Sequence, residues 1–253
     1  MCGRYSLIAQ AEELQALFDL LDLDERLVAP RYNIAPTQPI IVVREGDKGR
    51  EAVPIRWGLL PSWVKDPADF PLLINARAEG IAQKPAFRAA FKRRRCLVPA
   101  SGFYEWQATG GKSKQPYWIA PEDGRLIAFA GLWETWIGGD GSEIDTAAIV
   151  TRDADAALQP IHHRMPVLIA PDDFDLWLSD SVDPKAAETL LTAAPEELLS
   201  AVPVSTRVNR VANDDAGLWE PVKAEPPDNG ETARPAAKRP RKNKTGDGQT
   251  ELF

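Results

Sequence analysis

The 253-residue sequence has two cysteines, two histidines and two methionines, and no apolar run near the roughly 20 residues that a membrane span needs. Two cysteines cannot build a disulfide framework. Cys2 and Cys96, with only His162 and His163 beside them, offer no C-x-x-C or comparable spacing for zinc. A metal centre is therefore not expected, nor a cofactor, whereas a free thiol is. The N-terminus has no basic segment followed by an apolar stretch, so neither export nor insertion is indicated. The expectation is a soluble cytoplasmic protein that makes no membrane contact. The formal net charge of −7 argues weakly against nucleic acid, although partner choice depends on local patches rather than on the total.

What is present points to one domain and a tail. With 44% hydrophobic residues the chain can bury a substantial core. Helical spacing marks "AEELQALFDL", "KPAFRAAFKRR", "PDDFDLWLS" and "DPKAAETLLTAA". Between them run β-like segments: "PIIVVRE", "AVPIRWGLL", "RCLVPA", "GFYEWQ", "QPYWIA", "LIAFAGLWET", "DTAAIVT" and "MPVLIA". Strands outnumber helices and several follow one another directly, which predicts an α+β domain with a mainly antiparallel, barrel-like β core and flanking helices over residues 2–221. From Val222 to Phe253 the composition turns to Pro, Gly and charge with almost no aliphatics, and a disordered tail is expected. Residues 234–244 hold six basic residues and no acidic one, which suits either a nonspecific phosphate contact or a solvated linker.

Four stretches carry polar groups that a purely structural sequence would avoid: "MCGRY", "LLINARAE", "VPASGFYEWQ" and "QPIHHRMPVLI". Excision of Met1 ahead of a small second residue would leave Cys2 at the terminus, its thiol two carbons from a free α-amine. Taken singly, each residue has a structural reading as well. Glu105 could be a half-buried carboxylate paired with an arginine, Asn75 a turn former and His162 a satisfied histidine, while Cys96 is an inert small hydrophobe. Trp57, Trp63 and Trp106 could pack in a core or stack on bases.

In order, "MCGRY", "RYNIAPTQ", "RWGLLPSW", "INARAE", "SGFYEW" and "IHHRMPVLI" resemble the SRAP family, the SOS-response-associated peptidases that act as abasic-site processing proteins. The likeness runs from Cys2 to about Asn213. It implies that the partner is single-stranded DNA containing abasic sites, captured covalently through an N-terminal Cys2 as a DNA–protein crosslink that shields the lesion in replication-associated repair. It further implies that Glu105 exchanges protons during sugar opening and imine formation. His162 would move a proton at the sugar, and Asn75 would hold the opened sugar or the adjacent phosphate. Arg4, Arg77 and Arg164 are then expected to clamp phosphates, and Trp57, Trp63 and Trp106 to stack against flanking bases. Asn33 and Thr151 lie in matching stretches and join the expected DNA-binding set, while His163 is left structural. A binder of this kind needs no dimer, and a monomer is expected.

The chemistry of Cys2 agrees with that implication. An α-amine with a pKa of about 7.7 to 8.0 keeps a usable neutral fraction at pH 7 and can form a Schiff base with the aldehyde of an abasic deoxyribose. The neighbouring thiol can then close a five-membered thiazolidine, favoured by proximity. Two other readings stand beside it: an N-terminal-nucleophile thiol peptidase or autoprotease, and a noncatalytic single-strand-binding adaptor. An accompanying β-elimination (lyase) activity is left open. Finally, the terminal "QTELF", through Gln249, Leu252 and Phe253, resembles the short Q-x-x-L-F peptide with which bacterial proteins dock on the replication sliding clamp.

Overall fold

The β-branched and aromatic runs form extended chain because their side chains pack well on a pleated surface. The computed structural model describes residues 2–110, 113–192 and 199–224. In chain order it contains β1 (Tyr5–Leu7), α1 (Ala11–Phe18), β2 (Arg31–Ile34), β3 (Pro39–Gly46), β4 (Gly49–Trp57), β5 (Asn75–Arg77), α2 (Arg88–Arg93), β6 (Arg95–Ala100), β7 (Gly102–Ala108), β8 (Lys114–Pro121), β9 (Ile127–Ile137), β10 (Glu143–Asp153), β11 (Arg164–Pro166), α3 (Phe174–Leu178), α4 (Pro184–Thr189) and β12 (Leu199–Pro203). No described helix is long and apolar enough to cross a membrane.

Five of these strands close on themselves. The order β10-β4-β3-β6-β9 returns to β10 through the long β9–β10 hairpin, which pairs Glu143 with Ile137 and continues to Ile149 opposite Gly131. The C-terminal half of β10 also carries β5 on a parallel register, Ile149 beside Asn75 and Thr151 beside Arg77, and β11 on an antiparallel one. A second, antiparallel sheet runs β12-β8-β7-β1-β2. The α+β architecture with a mainly antiparallel barrel is as expected. The two parallel pairings, β10 with β4 and with β5, are not, because nothing local in a strand sequence specifies a partner so far away.

β7 shows how the two sheets are joined. Its alternation predicts Phe103, Glu105 and Gln107 on one face and Tyr104 and Trp106 on the other. Phe103 belongs to the main core and meets Phe129 of β9 edge-on at 6.0 Å. Tyr104 turns the other way into a separate cluster with Trp118, Val204, Val208 and Leu218, against which Trp106 and Trp219 pack. Both faces of β7 are thus covered, the second by the chain from Val204 onward. Gly102 is required here, since a Cβ would lie 2.5 Å from the Ile119 carbonyl oxygen.

The helices are shorter than their sequence patterns. α1 stops at Phe18 because Asp19 takes a left-handed conformation (φ 53°) whose N–H returns to the Gln15 carbonyl. α4 starts as predicted at Asp183, whose side chain accepts from the Lys185 N–H, but it ends at Thr189. "MPVLIA" keeps only Met165 and Pro166 in β11. Val167 continues with single bonds to the Val150 carbonyl and from the Ala130 N–H.

Candidate active site

The chain start is laid onto β7. Tyr5 pairs with Phe103, and the Tyr104 N–H donates to the Arg4 carbonyl, a register that carries Cys2 and Gly3 past Glu105. Cys2 is fully buried. Burial pushes its thiol far above the usual range, and the negative charge of Glu105 pushes it further in the same direction. Glu105, 3% exposed, has its carboxyl raised to about 7, chiefly because burial penalises the charged form.

His162 reaches the same place from the turn that precedes β11. Its Nδ1 lies 3.0 Å from the backbone nitrogen of Arg164. Nδ1 also lies 3.1 Å from the Arg164 carbonyl oxygen, so the same residue donates to Nδ1 in one tautomer of the neutral ring and accepts from it in the other. Nδ1 lies 3.8 Å from Glu105 Oε1, beyond hydrogen-bond length but close enough for each charge to feel the other. Desolvation lowers the His162 pKa. Near neutral pH the group therefore holds a protonated thiol, a neutral imidazole and a carboxyl poised to give or take a proton. His163 is exposed and stacks on His162 at 4.5 Å.

Asn75 opens β5, where the Trp57 indole N–H donates to the preceding carbonyl of Ile74 at 2.9 Å. Its amide makes one long bond to the Ile149 carbonyl, 3.5 Å, and its Oδ1 is buried without a partner among the described residues. The register places Thr151 two residues along on the same face. Its Oγ1 is likewise buried and unpartnered among those residues. Buried polar atoms are ordinarily hydrogen-bonded, so two such groups side by side make this the polar end of the site. Arg77 and Trp63 are exposed, the latter at 58%. Trp106 is half-buried, its indole N–H given to Asn209 Oδ1, with the Arg4 guanidinium 6.0 Å above the ring.

Four expected DNA contacts are placed otherwise. Trp57 has no exposed surface; it packs edge-on to Tyr5 at 5.4 Å and cannot stack on a base. Arg164 is 5% exposed, and its two terminal nitrogens are engaged by both oxygens of Glu79 (2.8 and 2.9 Å), by Asp153 (2.6 Å) and by the Thr151 carbonyl (2.6 Å), so the guanidinium is turned inward and not toward a phosphate. Asn33 is buried. Its Nδ2 donates to the carbonyls of Val208, Arg210 and Asn213, and its Oδ1 accepts from Arg4. Thr151 is fully buried beneath the site instead of on its surface. Glu79, quoted in the sequence but given no role there, proves to be the partner that fixes Arg164 and so the backbone N–H that orients His162. Its position in "INARAE", two residues beyond Arg77, was the one available signal. Gln249, Leu252 and Phe253 lie outside the described residues, as does most of the expected tail.

These features define a class: an α+β barrel protein that buries an N-proximal cysteine beside a carboxyl, an imidazole and an unsatisfied carboxamide. The sequence model described as "SOS response associated peptidase (SRAP)" matches residues 1–211, and the chain belongs to that family. It is 36% identical over 225 residues to the abasic site processing protein YoaM of Bacillus subtilis, covering 87% of this chain and 98% of that one. To the abasic site processing protein YedK of Escherichia coli it is 33% identical over 231 residues, covering 88% and 100%. A crystal structure of a protein from Bacteroides thetaiotaomicron superimposes with a TM-score of 0.77 at 26% identity, covering 88% of this chain and all of the other.

Proposed function

We propose that this protein captures abasic sites in single-stranded DNA as a thiazolidine through Cys2, shielding the lesion. The observation that carries the reading is the burial of Cys2 beside a carboxyl whose pKa lies near 7, with His162 completing the group. Relatives named abasic site processing proteins support it. Once Met1 is gone, the α-amine attacks the aldehyde of the ring-opened deoxyribose, with His162 moving the proton at the sugar ring oxygen. Protonated Glu105 then donates to the departing hydroxyl, giving water and a protonated imine. Sγ adds to the imine carbon, the C=N electron pair moves to nitrogen, and the thiol proton passes to the Glu105 carboxylate. The balance is DNA plus protein less one water. Asn75 Oδ1 accepts from a sugar hydroxyl, and Arg4, Arg77, Trp63 and Trp106 border the strand.

The raised thiol pKa favours this order over a thiol peptidase, which needs a thiolate at neutral pH. In the capture reaction the amine attacks first and the thiol only closes a ring. Docking on the replication sliding clamp through Gln249, Leu252 and Phe253 is part of the proposal and would raise the local concentration near stalled replication.

Intact mass spectrometry tests the mechanism. Purified protein should lack Met1 and, after incubation with an abasic oligonucleotide, gain the mass of the DNA less one water, mapped to Cys2. Cys2→Ala and Cys2→Ser, which keep the α-amine but lack the thiol, should each give no stable adduct and only a Schiff base trapped by borohydride. A retained Met1, or no adduct after its loss, overturns the reading.

A further inference from the structure

A cavity of about 440 Å³ opens at the head of β5, away from Cys2 but directly upstream of Asn75. Its walls are mostly apolar, Leu59, Leu60, Phe70 and Leu72, with Arg56, Thr146 and the rim residue Thr37 as polar groups. The Arg56 guanidinium makes one long contact, 3.4 Å, to the Gly58 carbonyl and has no carboxylate partner among the described residues. Three of the seven exposed large hydrophobics among the described residues, Trp63, Leu72 and Ile144, gather here. Leu72 and Ile144 line the cavity, and Trp63 stands edge-on to Phe70 at 5.5 Å. Exposed apolar surface concentrated around one hollow marks a binding site.

The backbone has been bent to make the hollow. Gly58 sits at φ +136°, a conformation that favours glycine, and a Cβ there would lie 2.3 Å from Leu72 Cδ1 and push that side chain from its place in the wall. Thr37, exposed at the rim, takes φ +73°, a region that β-branched residues rarely enter. The Thr37 N–H is tied to the Trp57 carbonyl at 2.8 Å. Strain of this kind persists where the surroundings over-determine it and gathers at ligand sites.

We propose that this cavity is a nucleobase pocket, taking the base of a nucleotide close to the abasic one on its aliphatic walls. Arg56 faces the base edge or its phosphate, and Trp63 covers the outer side. The inference rests on the reading of the neighbouring site as a DNA site. Leu72 and Asn75 are three residues apart, about 10 Å of extended chain, the length of about three stacked nucleotides at roughly 3.4 Å each and of fewer when the strand is stretched. The pocket explains how a protein that cannot stack bases on Trp57 still grips an unstacked strand without reading its sequence: a largely apolar slot accepts any base.

The test uses the full chain and single-stranded oligonucleotides whose central residue is a tetrahydrofuran, which has no aldehyde and cannot crosslink. 2-Aminopurine is placed in turn at each of three positions on either side. One position should change its fluorescence on binding. Leu72→Trp, which fills the cavity from an exposed position, should abolish that change and weaken binding about tenfold, while Leu72→Ile keeps both. Binding by anisotropy with no position-specific signal, or a signal indifferent to Leu72→Trp, overturns the pocket and leaves the Cys2 chemistry standing. Failure of wild-type protein to bind any of these strands overturns both.

Discussion

Glu105 is where stability and chemistry oppose each other. Its carboxyl rises from 4.5 to about 7 on folding because the charged form is poorly solvated on β7. Below pH 4.5 it is neutral in the folded and unfolded chains alike. Between there and 7 the folded chain keeps a proton that the unfolded chain has lost. Stability therefore falls by up to about 1.4 kcal/mol per pH unit, about 3 kcal/mol in all, and levels off above the folded pKa. Glu105→Gln removes that titration. Its melting temperature should exceed the wild type's by several degrees at pH 8, with the gap shrinking toward pH 5 in calorimetry. The same change should slow crosslinking by about a hundredfold or more. In the wild type the rate should peak between pH 7 and 8, where a neutral amine and a protonated Glu105 coexist, and a gap in melting temperature that ignores pH would mean that Glu105 is already ionised in the folded protein.

At the scale of elements, β2 owes its place to what Asn33 holds. Three carbonyls of the 208–213 segment and the Arg4 guanidinium converge on one buried amide, so the segment that covers Tyr104 and Trp106 is pinned to the strand beside the chain start. Asn33→Ala leaves those buried groups unsatisfied and should cost about 2 to 4 kcal/mol in urea denaturation. It should also slow crosslinking at saturating DNA, because Arg4 loses one of its two anchors and keeps only the Val208 carbonyl at 2.7 Å, whereas a purely local role would leave that rate alone. This is also where the sequence was least legible. Alternation along β7 announced which side chains share a face, and Cys2, Asn75, Glu105 and His162 stood out as polar intrusions in apolar runs. Nothing in "RYNIAP" says that its asparagine faces inward, and nothing in "RWGLL" or "HHRMP" separates an exposed Trp57 or Arg164 from a buried one. Burial there is decided by β5, β10 and β11 meeting in space, a three-residue strand on a parallel register being too short to leave a pattern. Three-residue strands such as β1 and β5 escape a periodicity reading for the same reason.

Across the whole molecule, charge is divided in a way the net value hides. Residues 1–221 carry a formal charge of −9, and residues 222–253 carry +2 with seven Lys and Arg among them. A body of that sign repels a DNA backbone at long range, and under the proposed reading its site works through a few cations at the strand, Arg4, Arg77 and Arg56. On that reading we propose that the basic run at 234–244 draws single strands in, by releasing their condensed counterions. Removal of residues 222–253 should slow crosslinking several-fold at low ionic strength and hardly at all at high salt, with the final yield unchanged. The slope of log affinity against log salt should become shallower by about 0.7 for each phosphate that the tail neutralises. A shorter truncation of the last five residues separates the two uses of the tail, since it removes Gln249, Leu252 and Phe253 and keeps every cation. It should abolish binding to the purified clamp and leave the salt slope as it was. Equal salt slopes for the full chain and the 1–221 protein would mean that the folded body, despite its sign, gathers DNA unaided.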